Sequence, residues 1–76
     1  MDPGTYIKAL GEVIRNKRSK LGYSQESFAA EVGLHRTYIG QVERGEKNLT
    51  IKNLLKIADM LQTKPSKLLV NIDKLL

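Results

Sequence analysis

The twenty residues from Gln25 to Arg44, QESFAAEVGLHRTYIGQVER, constrain this chain more than any other stretch. They read as two short helices hinged at Gly33. Two helices that meet at a steep angle cannot hold a large side chain where they cross. Ala29, Gly33 four residues later, and then Ile39 and Val42 therefore form one coherent steric set. Phe28 and Val32 give the first helix its inward face, and Leu34, Ile39 and Val42 do the same around the second. Each residue alone is a weak signal, and a helical hairpin of no special purpose would match part of the pattern. The whole set at these spacings is specific.

The rest of the chain bounds what this pair can belong to. Seventy-six residues make one domain, and a chain this short buries only about 60% of the surface its unfolded form exposes. Its core is thin and a partner surface is expected. Thirteen Lys and Arg against eight Asp and Glu give a net charge of +5 and a pI near 9.7, which favours polyanions in a salt-sensitive way. There is no cysteine, so neither disulfides nor a cysteine metal site can staple the fold. The N-terminal MDPGTYIKAL lacks a basic start followed by an apolar run, and no stretch approaches the ~18 apolar residues of a membrane span. A soluble, cytoplasmic protein without membrane contact is expected. Period-two alternation is missing and glycines punctuate helices rather than hairpins, so the chain reads as all-α.

Five helices follow from the spacing. Tyr6, Ile7, Leu10, Val13, Ile14 and Leu21 recur mostly at three- and four-residue intervals and predict a helix over about 5–21, stopped by Gly22. Ser24 is a natural cap for a second helix over about 25–32, with Glu26 well placed in its first turn. A third spans about 35–44, ended by Arg44 and Gly45. Thr50 caps a fourth, with Ile51, Leu54, Leu55, Ala58 and Leu61 on one face. Pro65 suits the first turn of a fifth, which carries Leu68, Leu69, Ile72, Leu75 and Leu76.

The segment resembles the helix-turn-helix of the phage-repressor (Cro/CI, XRE-like) transcription factors. The residues that carry the resemblance are Ser24-Gln25-Glu26 at the start and Glu43-Arg44-Gly45 at the end, within the same order of five helices. HRTYI at 35–39, then VERG and NLTI, is similar to the small controller proteins of restriction-modification systems. The resemblance implies a compact five-helix bundle of the lambda-repressor type and a cytoplasmic, nucleoid-associated bacterial or phage regulator. It also implies a double-stranded DNA operator as partner, with RNA polymerase as a further candidate. A phage repressor and an antitoxin of the same fold remain alternatives within it. Residues 1–76 are read as one domain.

Helix geometry gives the expected reading face. With Ile39 and Val42 inward, Arg36, Thr37, Gly40, Gln41 and Arg44 lie outward. Arg36 can bracket a guanine, Thr37 can offer its hydroxyl or its methyl to thymine, and Gln41 can bracket an adenine. The resemblance places Arg36, Thr37 and Gln41 in base-reading slots and Tyr38 close to DNA. Gly40 replaces the serine of many relatives, and its missing side chain is expected to let the helix sit deep or to make room for Gln41. Phosphate contacts are expected where helix starts offer free amides, at Gln25 and at Asn48 to Thr50, with Arg44, Lys47 and Lys52 adding charge. His35, a lone histidine, reads as a cap or phosphate neighbour rather than a metal ligand. The resemblance further implies a structural pair between Arg18 and Glu43.

One such helix reads too few base pairs for a genomic site. A homodimer on a pseudo-palindrome is the expected solution, with Leu68, Leu69, Ile72, Leu75 and Leu76 as its contact residues and Val70 on their flank. No catalytic constellation, cofactor motif or metal set stands out, and neither an enzyme nor a small-molecule ligand is expected. The rival from another class is a helical protein-interaction module, but the outward set lacks the large apolar anchors such a surface needs.

Overall fold

The computed structural model describes residues 2–76, and these form five helices: α1 (Pro3–Lys20), α2 (Gln25–Val32), α3 (Arg36–Glu43), α4 (Ile51–Met60) and α5 (Pro65–Leu75). None is long and apolar enough to cross a membrane. The five largest fully buried side chains are Ile14, Phe28, Ile39, Ile57 and Leu68, one from each helix. The core is the point where all five converge, and burying each such side chain contributes about 1.5–3 kcal/mol.

Helix ends follow local chemistry. α1 begins two residues earlier than the periodicity predicts. Asp2 accepts the Gly4 amide at 3.0 Å, and Pro3 at the first helical position has no amide to satisfy. Ser24 and Ser27 cap α2 reciprocally, each hydroxyl accepting the other's backbone N–H at 3.0 Å. Gly33 closes α2 at φ 82°, and the amides of Gly33 and Leu34 both reach the Ala29 carbonyl. A residue with a Cβ would be strained there, so Gly33 sets the angle at which α3 leaves. α3 is trimmed by one residue at each end because His35 and Arg44 serve as its caps.

α1 packs against both α3 and α5. Where it meets α3 there is no room for any side chain: a Cβ at Gly11 would fall on the carbonyls of Val42 and Glu43, 2.7 Å from the latter. The two helices touch backbone to backbone, which fixes where the end of α3 sits.

Two expected faces are corrected. On α4 the buried residues are Leu54, Ile57 and Ala58, joined by Leu61 just past its end, whereas Ile51 and Leu55 lie outside the core. On α5 the core takes Leu68 and Ile72, one turn apart, and leaves Leu69, Val70, Leu75 and Leu76 about half exposed. α4 and α5 thus carry more apolar surface than one chain's interior uses.

Candidate nucleic-acid interface

α3 starts on His35, whose Nδ1 accepts the Thr37 amide at 3.2 Å, a weaker relative of the serine or aspartate cap. From there the 100° step of a helix distributes its side chains. Ile39 and Val42 are buried in the core. Thr37, Gln41 and Arg44, four and then three residues apart, form the crest facing away from it. Thr37 and Arg44 are exposed and Gln41 is half-buried.

The remaining members of the expected reading face lie on its flanks. Arg36 is on the side nearer α2, where its guanidinium stands 3.7 Å from Glu26 with both side chains largely exposed. So long and open a contact leaves Arg36 free to reach outward. Tyr38 is on the opposite flank: its ring packs against the core, and its hydroxyl accepts a hydrogen bond from Asn53 of α4 at 3.1 Å. Its own O–H proton stays available to a ligand. Gly40 is buried rather than open to a groove. A Cβ there would meet Arg44 Nη1 at 3.1 Å and Gln25 Oε1 at 3.6 Å. The space left by its missing side chain is taken by Arg44 folding back over the helix, not by Gln41.

Gln25 is also placed differently from expectation. Its side-chain amide donates to Glu43 Oε1 at 3.0 Å, which leaves its backbone amide, without an intrahelical partner in the first turn of α2, as the group it can offer an anion. The cause is the demand of the buried carboxylate. Arg18 donates to Glu43 through Nε at 2.6 Å and Nη2 at 3.0 Å, and its Nη1 donates to the Tyr23 carbonyl at 2.7 Å. Gln25 supplies a further donor to the same carboxylate. Among the described residues no buried side-chain nitrogen or oxygen lacks a partner. This network ties α1, the start of α2 and the end of α3 into one unit, and so fixes how far the crest of α3 projects.

Beyond α3, Lys47, Asn48, Thr50 and Lys52 are all exposed on the connection to α4 and its first turn. Thr50 caps α4 by accepting the Asn53 amide at 3.1 Å, so its hydroxyl proton and the first amides of α4 face outward. Arg44 is not loose: it donates to Glu46 through Nε at 2.9 Å and Nη2 at 3.2 Å. That bond holds the Glu46 carboxyl below its ordinary range and raises Arg44. Sequence reasoning missed both Glu46 and Asn53. A carboxylate two residues after an arginine at a helix end is a visible signal, but the Tyr38–Asn53 contact joins separate helices and carries none.

Of the expected dimer contacts, Leu68 and Ile72 are 0% and 4% exposed and belong to the monomer core. Leu69, Leu75 and Leu76 are exposed, and Leu55 and Ile51 on α4 join them as unpartnered apolar residues. By the helical step, Ile51 and Leu55 lie on the flank of α4 away from Asn53 and Met60, and Leu69 lies on the flank of α5 away from Asn71 and α1. The open cleft between α1 and the end of α3 is lined by polar residues, among them Lys8, Glu12, Arg15 and Asn16. It lacks the apolar enclosure of a small-molecule site. Among the described residues no three His, Asp or Glu side chains gather into a metal-binding group.

Comparison with known proteins places this arrangement. Residues 14–68 match the family described as helix-turn-helix. The chain is 48% identical over 60 residues to the control protein C.SmaI of Serratia marcescens, covering 79% of this chain and 71% of the relative. It is 45% identical over 60 residues to the control protein C.BamHI of Bacillus amyloliquefaciens, covering 78% and 74%. In three dimensions it is similar to the restriction-modification controller protein C.AhdI from Aeromonas hydrophila, with a TM-score of 0.79 and 40% identity over 82% of this chain and 94% of that one. These relatives are named as regulators rather than enzymes. The chain belongs to the helix-turn-helix family of transcriptional regulators.

Proposed function

We propose that this protein binds a pseudo-palindromic DNA operator as a homodimer, with α3 in the major groove, and controls genes of a restriction-modification system. The observation that carries the reading is the two-sidedness of α3. Ile39 and Val42 are sealed in the core, while Thr37 and Arg44 on the other side are exposed to solvent, with Gln41 between them and Arg36 beside them. A helix held so firmly from behind presents its polar crest at little cost in order. Arg36, Thr37 and Gln41 are assigned to base edges, and Arg44, Lys47, Asn48, Thr50 and Lys52 to the phosphate backbone. The backbone amide of Gln25 joins the second group.

The exposed apolar residues Leu55, Leu69 and Leu76 are assigned to the homodimer contact, whereas Leu75 faces the α1 side of α5 beside Asn71. Twofold pairing would set two α3 helices about 34 Å apart, one turn of duplex. The assignment to restriction-modification control, and RNA polymerase as a partner, rest on the likeness to controller proteins. Selection of duplexes from a random pool by the purified protein tests the reading. The expected product is an inverted repeat with half-sites about one helical turn apart. Recovery of no preferred sequence in dilute buffer would reject it.

A further inference from the structure

We infer that Glu46 is an internal competitor for the DNA backbone: in the free protein its carboxylate occupies the Arg44 guanidinium and must be exchanged for phosphate when a duplex binds, so Glu46 sets binding strength without reading sequence. The inference rests on the DNA-binding reading above.

The contact has the form of the one it would replace. Arg44 Nε and Nη2 each donate to a separate oxygen of Glu46, at 2.9 and 3.2 Å, which is the two-pronged geometry a guanidinium also offers to phosphate. Nor is Glu46 a loose tail. Gly45 turns the chain at φ 75°, its amide reaching the Val42 carbonyl at 3.1 Å, and the Glu46 amide reaches the Gln41 carbonyl at 2.8 Å. This pair of bonds closes the end of α3 and holds the Glu46 backbone in place, so its carboxylate is delivered beside Arg44 rather than found by chance.

Arg44 lies back over Gly40, its Nη1 3.1 Å from where a Cβ would be, with Gln25 Oε1 bordering the same space. The charge therefore rests between the crest of α3 and the start of α2, where outward amides favour an anion. Glu46 neutralises it there. The pair is open to solvent, with both side chains more than half exposed, and exposed pairs of this kind contribute little to folding. The end of α3 is already held by Gly45 and by the Arg18–Glu43 bond. What the pair does change is the number of free cations facing a duplex.

The test is Glu46→Gln, which keeps the shape and removes the charge, measured by titration against an operator duplex and an unrelated one over a range of salt. Glu46→Gln is expected to tighten both by a similar factor, about 5–10-fold in dilute buffer and less as salt rises. Glu31→Gln, an equal loss of charge at the exposed far end of α2, should change binding by about 2-fold or less. In an Arg44→Gln background the Glu46→Gln effect should shrink to the same small size. Thermal melting of each variant confirms that it is folded. Weaker or unchanged binding by Glu46→Gln would overturn the inference, as would an equal gain with and without Arg44. A native protein that binds no duplex would overturn the underlying reading as well, whereas native binding with an inert Glu46→Gln overturns the inference alone.

Discussion

Arg18 and Glu43, twenty-five residues apart, meet in the interior as a two-bond pair of 2.6 and 3.0 Å, each residue 7% exposed. Removing one partner strands the other as a buried charge. Glu43→Ala is expected to cost about 3–5 kcal/mol in urea unfolding, while Arg18→Met combined with Glu43→Leu should restore most of that loss. Gln25 would lose its partner in both variants. The double variant should therefore regain stability but bind DNA less well, because the start of α2 and the end of α3 are no longer tied together.

Two helical glycines should respond in opposite directions to the same substitution. Gly11→Ala drives a methyl into the carbonyls of Val42 and Glu43, and backbone atoms cannot turn aside. α1 must lift from α3, with a cost of about 1–3 kcal/mol or more. Gly40→Ala meets only the tip of Arg44 and one oxygen of Gln25, at 3.1 and 3.6 Å. The tip can shift by a few tenths of an ångström, and the gain in helix propensity of about 0.5–1 kcal/mol should win. Parallel thermal melts of the two variants decide this. Equal destabilisation by both would mean that Arg44 is pinned more rigidly than its exposure suggests.

Much of this arrangement is legible in the residues themselves. The helix pair at 25–44, its glycine hinge and its Ser24 cap are local signals, and local signals survive folding. The departures are tertiary. Gln25 and Gly40 look outward on a helical wheel but face one another across the α2–α3 junction, because Glu43 needs a donor and Arg44 needs space. Tyr38 turns aside because Asn53, fifteen residues later, offers its hydroxyl a partner. Leu68 and Ile72 could not be told from Leu69 and Leu75 by periodicity on a helix of three turns with apolar residues on more than one side. Only the position of α1 and α4 around α5 separates core from surface there.

That separation gives a test of assembly. Leu55→Glu or Leu69→Glu places a charge on surface that is 51% exposed in each case, so the fold should survive and pairing should fail. Sedimentation should then move from a species of about twice 8.6 kDa to one of 8.6 kDa, and affinity for a full operator should fall towards that for a half-site. Ile72→Ala should behave otherwise, lowering stability by about 2–5 kcal/mol, because it opens a cavity in the core. A native chain that sediments as a monomer would shift these leucines to a different partner, as in the antitoxin alternative.

Arg36 and Lys47 are both exposed and both cationic, yet their positions predict different effects. Arg36 stands at the first turn of α3, beside the crest and bound only loosely to Glu26 at 3.7 Å, where it can enter a groove and pair with a guanine. Arg36→Ala should cost about 1–3 kcal/mol on the preferred operator and relax the preference at one base pair. Lys47 sits on the connection to α4, beside a helix start rather than on a reading face. Lys47→Ala should weaken every duplex alike and lower the salt slope by roughly one unit. Titrations against the operator, single-base variants of it and unrelated DNA resolve the two patterns. A sequence-blind loss from both substitutions would mean that α3 approaches the duplex with its side rather than its first turn, and Thr37 and Gln41 would then have to be reassigned with Arg36.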